Sequence, residues 1–88
     1  MARIDLDDLR NPEGVFLADS LRVAKRVEEW LTTAGVEYAV DVVPIGRSLL
    51  FGTLRMGAAF YVAESHASYC RQQLTAVGLG SGVVGGQS

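Results

Sequence analysis

Apolar and polar residues follow the same pattern twice along this chain. The first block opens with Phe-Leu-Ala-Asp-Ser at 16–20, and the second opens with Tyr-Val-Ala-Glu-Ser at 61–65. Each continues with a stretch of helical periodicity that ends in a similar phrase, Leu-Thr-Thr-Ala-Gly-Val at 31–36 and Leu-Thr-Ala-Val-Gly-Leu at 74–79. A valine-rich segment follows each phrase. The pattern therefore predicts one strand–helix–strand unit written twice.

The first block has clear boundaries. Residues 15–18 form a short apolar run that predicts a strand. Asp19 or Ser20 then caps a helix that extends to about Ala34, and Gly35 lies where a left-handed helix-ending residue belongs. Apolar residues at three- and four-residue spacing predict one inner face for this helix. They are Val23, Ala24, Val27, Trp30, Leu31 and Ala34.

The rest of the chain predicts the strand that completes the first unit, followed by a strand and a helix of the second unit. β-Branched and aromatic residues favour strands over 36–45 and 58–63. The helix is expected from about Ser65 to about Val77, and Gly78 ends it as Gly35 ends the first helix. Its predicted inner stripe consists of Ala67, Cys70, Leu74 and Val77.

The order of elements predicts the fold class. Residues 82–85 enclose two valines between glycines and predict a short last strand at an edge. The order is then β-α-β-β-α-β, and a duplicated split β-α-β unit with an antiparallel sheet is the ferredoxin-like plait. We predict an α+β domain of this class over 14–85. Residues 1–13 are interpreted as an N-terminal arm and 86–88 as a flexible tail.

The segment 46–57 between the two units is interpreted as an arm. Gly52 and Thr53 fit a two-residue type II′ turn, which pairs Phe51 with Leu54. This pairing favours an extended hairpin over the alternative, a mobile loop with a short helical turn. Its apolar side chains predict a surface that docks another protein, because exposed apolar patches usually mark interaction surfaces. These residues are Leu49, Leu50, Phe51, Leu54 and Met56.

The alternative is that the arm packs on the protein's own helices or sheet.

The hairpin register also places Val43 opposite Val62, which distributes apolar residues over both faces of the sheet. The first face would carry Val36, Tyr38, Val40, Val42, Tyr61 and Ala63. The second would carry Val43, Ile45, Phe60 and Val62. Because helices cover one face, we expect a second copy to cover the other, in a dimer or trimer.

The composition limits the kinds of partner and the cellular location that are expected for the protein. A chain of 88 residues suits one small domain. Its net charge of −2, without a basic cluster, argues against nucleic acid as a partner. No apolar stretch has the roughly 20 residues that a membrane span requires. Cys70 is the single cysteine, so no internal disulfide is available, and a reducing cytoplasm is the expected location.

Candidate chemistry is sparse. Arg47 and Arg55 flank the arm and could hold a phosphate or carboxylate by bidentate hydrogen bonds; alternatively they are solvated. His66 is expected to face solvent at a helix start, and Cys70 to be a buried, inert thiol. No phosphate loop and no nucleophile elbow is present. An enzyme would have to use Tyr38, Tyr61, His66 or Trp30, and fold analogy alone supports that.

The chain resembles the short PII-like family of prokaryotic signal-transducing proteins. Their pattern is a strand, a helix ending in Leu-x-x-x-Gly-Val/Ile, a strand, a variable loop, a strand and an alanine-containing helix. The corresponding parts are Val15 to Ala18, Leu31 to Val36, Tyr38 to Val43, Phe60 to Glu64, and Ala67.

The resemblance implies a docking role for segment 46–57, which lies where PII proteins carry their partner-docking T-loop. It also implies a nucleotide between subunits near the base of that loop. Here only Arg47 and Arg55 could serve, so the sequence argues more for a protein partner than for a nucleotide. The sequence identifies no cofactor.

The leading hypothesis is therefore a non-catalytic regulatory or adaptor module, under small-molecule control or without it. The alternative is an accessory subunit of a larger enzyme assembly with no ligand of its own. A small plait-fold enzyme ranks last.

Overall fold

A computed structural model describes residues 3–47, 52 and 54–85 of the protein. Within them, two helices pack on one face of a three-stranded antiparallel sheet of order β1-β3-β2. The elements are β1 (Pro12–Ala18), α1 (Leu21–Ala34), β2 (Tyr38–Arg47), β3 (Leu54–Ala63) and α2 (Glu64–Leu74). The prediction of an α+β chain with an antiparallel sheet is thereby confirmed.

Helix α1 begins and ends as its sequence predicts. The Ser20 hydroxyl accepts a hydrogen bond from the Val23 N–H at 3.2 Å, and Gly35 ends the helix with φ of 74°. Val27 and Leu31 are fully buried. Ala34 is exposed, so its predicted place on the inner face was wrong. The chain leaves the helix at Gly35, and the buried side chain of Val36 takes over the packing at that end.

The helical segment that starts with α2 ends at Gly78 as its sequence predicts, because Gly78 has φ of 89° and helical backbone angles persist through the turn before it. Ala67, Cys70 and Leu74 are buried on its inner stripe, as predicted. Val77 is 43% exposed, so its predicted burial was wrong. The reason is the left-handed backbone of Gly78, which turns the chain at this end of the helix and buries Leu79 instead.

The predicted register of the central strands was wrong by an odd number of residues. Val43 pairs with Gly57 rather than with Val62, whose partner is Tyr38. An odd shift exchanges the two faces of a strand. The observed register buries Val62 and Phe60 under the helices together with Tyr38. Burial of these large side chains therefore overrides the local turn signal.

The predicted pairing of Phe51 with Leu54, which defined the turn at Gly52 and Thr53, was wrong because Leu54 pairs with Arg47. Phe51 and Thr53 themselves lie outside the described residues. A bulge between Pro44 and Gly46 accommodates the change. The alternative reading, a loop with a helical turn, falls mostly outside the described residues.

The predicted fourth strand is reduced to a single contact. Val83 makes an isolated antiparallel bridge with Phe16, and the Val84 N–H donates to the Val15 carbonyl at 3.0 Å. A 3-10 turn over Gly80–Gly82 immediately precedes it and limits the pairing. Strand β1 also contains a bulge at Val15, which lets Val15 and Phe16 both enter the core.

The N-terminal segment packs on the body of the same chain. The Ile4 N–H donates to the Tyr38 carbonyl at 2.8 Å, beside an isolated parallel bridge from Arg3 to Tyr38. Leu9 is buried, whereas Leu6 is partly exposed. Strand β1 already begins at Pro12, inside the segment that the sequence assigned to the arm.

Candidate functional site

Strands β2 and β3 continue beyond the end of β1. The last pair between β1 and β3 is Ala18 with Ala58, whereas β2 and β3 stay paired as far as Arg47 with Leu54. Residues 43–47 and 54–57 therefore form a two-stranded extension. It contains residues 46–47 and 54–57 of the predicted arm; the predicted docking residues Leu49, Leu50 and Phe51 lie outside the described residues.

One face of this extension is apolar and exposed. Alternation along β3 places Leu54 and Met56 on the side that carries Phe60 and Val62 in the core. Leu54 and Met56 are nevertheless 48% and 47% exposed, because the helices end before this part of the sheet. The same face of β3 is therefore buried at one end of the strand and exposed to solvent at the other.

The exposed face of the extension continues onto helix α1. Leu21 is 72% exposed and Val42 is 64% exposed. Both line a shallow depression of about 200 Å³ together with Ala24, Met56 and Ala58. We call the four large exposed residues the arm patch: Leu21, Val42, Leu54 and Met56.

Sequence reasoning found half of the arm patch. It singled out Leu54 and Met56 within the arm, but it placed Val42 on a buried face through the wrong register. Leu21 received no role. The signal for it was present, because Leu21 is an apolar residue off the inner stripe of α1, directly after the Ser20 cap.

The second face of the sheet is also largely apolar. We call it the open face, and the observed register places Gly14, Leu17, Ala39, Asp41, Val43, Ala59, Tyr61 and Ala63 on it. Most of these residues are partly exposed. The Tyr61 hydroxyl makes no hydrogen bond within the described part of the chain. The predicted membership of the two faces was wrong, since Tyr38 and Tyr61 lie on opposite faces.

The two candidate ligand-binding arginines are neighbours at the extension. Arg47 pairs with Leu54, and Arg55 pairs with Gly46, so the two positions are adjacent but not directly opposite. Arg55 is exposed and makes no ion pair with another described residue. Their role in ligand binding stays a prediction.

The four candidate enzyme residues do not converge. Tyr38 is buried, and its hydroxyl donates to Glu28 Oε2 at 3.1 Å. Burial raises the pKa of Tyr38 above its ordinary value. Tyr61 lies on the opposite face, and His66 is exposed near the start of α2. The Trp30 ring packs against the ring of Tyr69 in α2, with centroids 6.1 Å apart. The described geometry therefore brings together no acid–base pair from this set.

Cys70 is buried in the core, as predicted. Burial raises the pKa of its thiol to about 11, and the nearby positive charge of Arg71 offsets part of that effect. The group is therefore a neutral thiol at physiological pH. Among the described residues, no group of three or more His, Cys, Asp or Glu side chains is placed to hold a metal ion.

Arg71 is a structural residue that the sequence analysis missed. Its Nε donates to the Val84 carbonyl at 2.8 Å, and its Nη2 donates to the Gly14 carbonyl at 2.9 Å and to Glu13 Oε1 at 3.0 Å. It ties the C-terminal segment to β1. A polar residue in the last turn of a helix carries no sequence signal for such a role.

The chain has no match in comparisons with known proteins. No protein-family model matches it, and neither a curated protein nor a solved structure does. The likeness to PII-like proteins therefore depends on the pattern of its sequence and stays a prediction. In the part of the chain that the structure describes, no helix is long and apolar enough to cross a membrane.

Proposed function

We propose that this protein is a non-catalytic regulatory or adaptor module that docks a protein partner through the arm patch and the adjoining segment 46–57. The observation that carries the proposal is the arm patch itself. Four large apolar side chains, Leu21, Val42, Leu54 and Met56, are each between 47% and 72% exposed. Contiguous exposed apolar surface on a small domain is typical of an interaction site.

The arm patch is suited to docking because its base is rigid. Leu21 opens a capped helix, and Val42 and Met56 belong to a hydrogen-bonded ladder. Residues held by regular elements lose little conformational entropy on binding. Fully burying one exposed side chain of this kind contributes about 1.5–3 kcal/mol. The four residues are between 47% and 72% exposed, so a partner that covers the patch gains about twice that amount before the costs of association.

The proposal includes the complete ferredoxin-like plait and the PII-like character. Support for the plait comes from the order β1-β3-β2 and from the bridge between Val83 and Phe16. Val83 lies at the free side of β1, where a plait carries its fourth strand. Support for the PII-like character is the position of segment 46–57, which spans the end of β2 and the start of β3 and so corresponds to a T-loop.

A homo-oligomer, dimer or trimer, is part of the same proposal. The open face supports it, because helices leave this side of the sheet uncovered and Tyr61 displays a hydroxyl without a partner in the described part of the chain. Tyrosine with an unpaired hydroxyl suits an interface that is partly wet. A reducing cytoplasm is the proposed location, since the buried Cys70 thiol is free.

The second candidate is an accessory subunit of a larger enzyme assembly. The observation that favours it is that apolar surface is exposed in two places, on the arm patch and on the open face. Both would then be covered by other subunits of the assembly. The two candidates differ in the behaviour of the isolated chain, which should be a defined homo-oligomer as a regulator and polydisperse as an orphaned subunit.

Site-specific photo-cross-linking tests the proposal. A benzoylphenylalanine at position 42 samples the arm patch, and the same group at position 77 is the control. Val77 is likewise apolar and 43% exposed, but it lies outside the patch. We expect one defined heterologous product at position 42 that Met56→Asp removes. Equal products from both positions, or a product insensitive to Met56→Asp in a folded variant, would contradict docking at the patch.

A further inference from the structure

A groove runs along the free edge of β1, on a different part of the surface from the arm patch. Its volume is about 380 Å³, within the range of about 300–1,000 Å³ for small-molecule sites. We call it the edge groove. Its walls share no residue with the arm patch.

The edge groove exists because the fourth strand is incomplete. The Val83 bridge covers β1 at Phe16, and the preceding turn folds back so that Gly82 lies against the Phe16 ring. A Cβ atom at Gly82 would clash with the Phe16 ring. At Leu17 and Ala18, β1 pairs with β3 on one edge, but no described strand lies along its other edge, and the groove occupies this gap.

The floor of the edge groove is apolar and its rim is charged. Phe16 and Leu79 are buried, and Val23 and Ile45 are partly buried beside them. Asp19 and Arg55 are both exposed and line the same groove. Neither makes an ion pair or a side-chain hydrogen bond within the described part of the chain. Two opposite charges, neither paired with a described residue, therefore line one largely apolar groove.

We propose that the edge groove binds a small apolar α-amino acid. The guanidinium of Arg55 receives the α-carboxylate, the carboxylate of Asp19 receives the α-ammonium, and the side chain lies on the apolar floor. A nucleotide or inorganic phosphate fits less well, because it would place two or more negative charges beside Asp19. The role of this ligand as a control signal rests on the proposed function, whereas its binding does not.

Titration calorimetry with L-leucine and L-phenylalanine tests the proposal. With the wild-type chain at pH 7 we expect saturable binding with a Kd between about 10 µM and 1 mM. Arg55→Gln and Asp19→Asn should each weaken binding by about tenfold or more. Arg10→Gln and Asp7→Asn are matched controls, since both residues are exposed and lie outside the edge groove. These controls should change Kd by less than about twofold.

Two analogues separate the charges of the ligand. 4-Methylpentanoate lacks the ammonium group, so its weaker binding should depend on Arg55 and not on Asp19. Isopentylamine lacks the carboxylate, so its binding should depend on Asp19 and not on Arg55. This crossed pattern would support the assignment of each residue to its group.

Three outcomes would overturn the proposal. One is no detectable heat from any apolar amino acid up to about 10 mM with folded wild-type protein. Another is binding that both groove variants leave unchanged. The third is tighter binding of inorganic phosphate or ATP that Arg55→Gln abolishes, which would assign the groove to phosphorylated ligands. None of these would affect partner cross-linking at position 42, so failure here is distinguishable from failure of the proposed function.

Discussion

The two ends of strand β3 have the same alternation of side chains between the faces of the sheet, but one end is buried and the other is exposed. At the end nearest α2, Phe60 and Val62 are fully buried under the helices. At the other end, Leu54 and Met56 point to the same side of the sheet and are about half exposed. The difference lies in what covers them, since the sheet extends farther than β1 and the helices. Amphipathic patterning therefore identifies a face, while the layer above it decides whether that face is core or surface.

The largest effect should come from the buried end. Phe60→Ala removes a ring that packs edge-to-face on Phe16 with centroids 6.4 Å apart. We expect a loss of about 3–5 kcal/mol in the free energy of unfolding, measured by urea denaturation. Met56→Ala, on the same face of the same strand, should cost less than about 0.5 kcal/mol. Similar losses of unfolding free energy for both variants would contradict the conclusion that one end of β3 is core and the other is surface.

A pH series tests how completely the core excludes water. The pKa of the Cys70 thiol is raised from 9.0 to about 11 in the folded protein. Since a raised pKa favours the protonated form, this stability is complete below pH 9 and is lost as the pH rises through 11. The loss should reach about 2–3 kcal/mol. Cys70→Ala, less stable at pH 7, should lack that part of the slope; parallel curves for the two proteins would refute the burial effect.

Gly57 marks the boundary between the supported sheet and its extension. A Cβ atom there would lie 2.7 Å from the Ala18 carbonyl oxygen, where β1 ends, and 2.8 Å from Ile45 Cγ2. We expect Gly57→Ala to cost about 1–3 kcal/mol in urea denaturation. Gly14→Ala is the matched control, since its Cβ would make an ordinary contact at 3.4 Å with the Tyr61 ring. A neutral Gly57→Ala would mean that the extension is less tightly joined than described.

The local parts of the fold could be predicted from sequence, and the non-local pairing could not. Ser20 and Gly35 end α1 through contacts within a few residues, so their residue types are sufficient evidence. The register of β2 against β3 depends on burying Phe60 and Val62 under helices that are distant in sequence. A plausible glycine turn pointed to a different register, and nothing local contradicted it.

The candidate sites were predictable to a similar extent. Leu54 and Met56 stood out because they lie in an apolar segment between two glycines. The exposure of Val42 depends on where α1 begins above the sheet, which no periodicity records. Asp19 and Arg55 are far apart in sequence, and only the fold brings them to one groove. The role of Arg71 could not be predicted for the same reason, since the residues that it contacts lie on β1 and in the C-terminal segment.

The smallest effect on stability should come from the arm patch. Leu21→Ser and Val42→Thr replace exposed side chains, so each should change the free energy of unfolding by less than about 0.5 kcal/mol. Thermal melts followed by circular dichroism would measure this. A loss of more than about 2 kcal/mol from either variant would show that these residues belong to the core of the isolated chain, against their exposure.

The most direct test joins stability and docking in one variant. Val42→Asp/Met56→Asp should leave the urea unfolding midpoint within experimental error of wild type, while the affinity for the partner found by cross-linking at position 42 falls about a hundredfold or more. Val77→Asp is the control and should retain wild-type affinity. A folded double variant that still binds the partner with wild-type affinity would contradict the claim that the arm patch is the docking site.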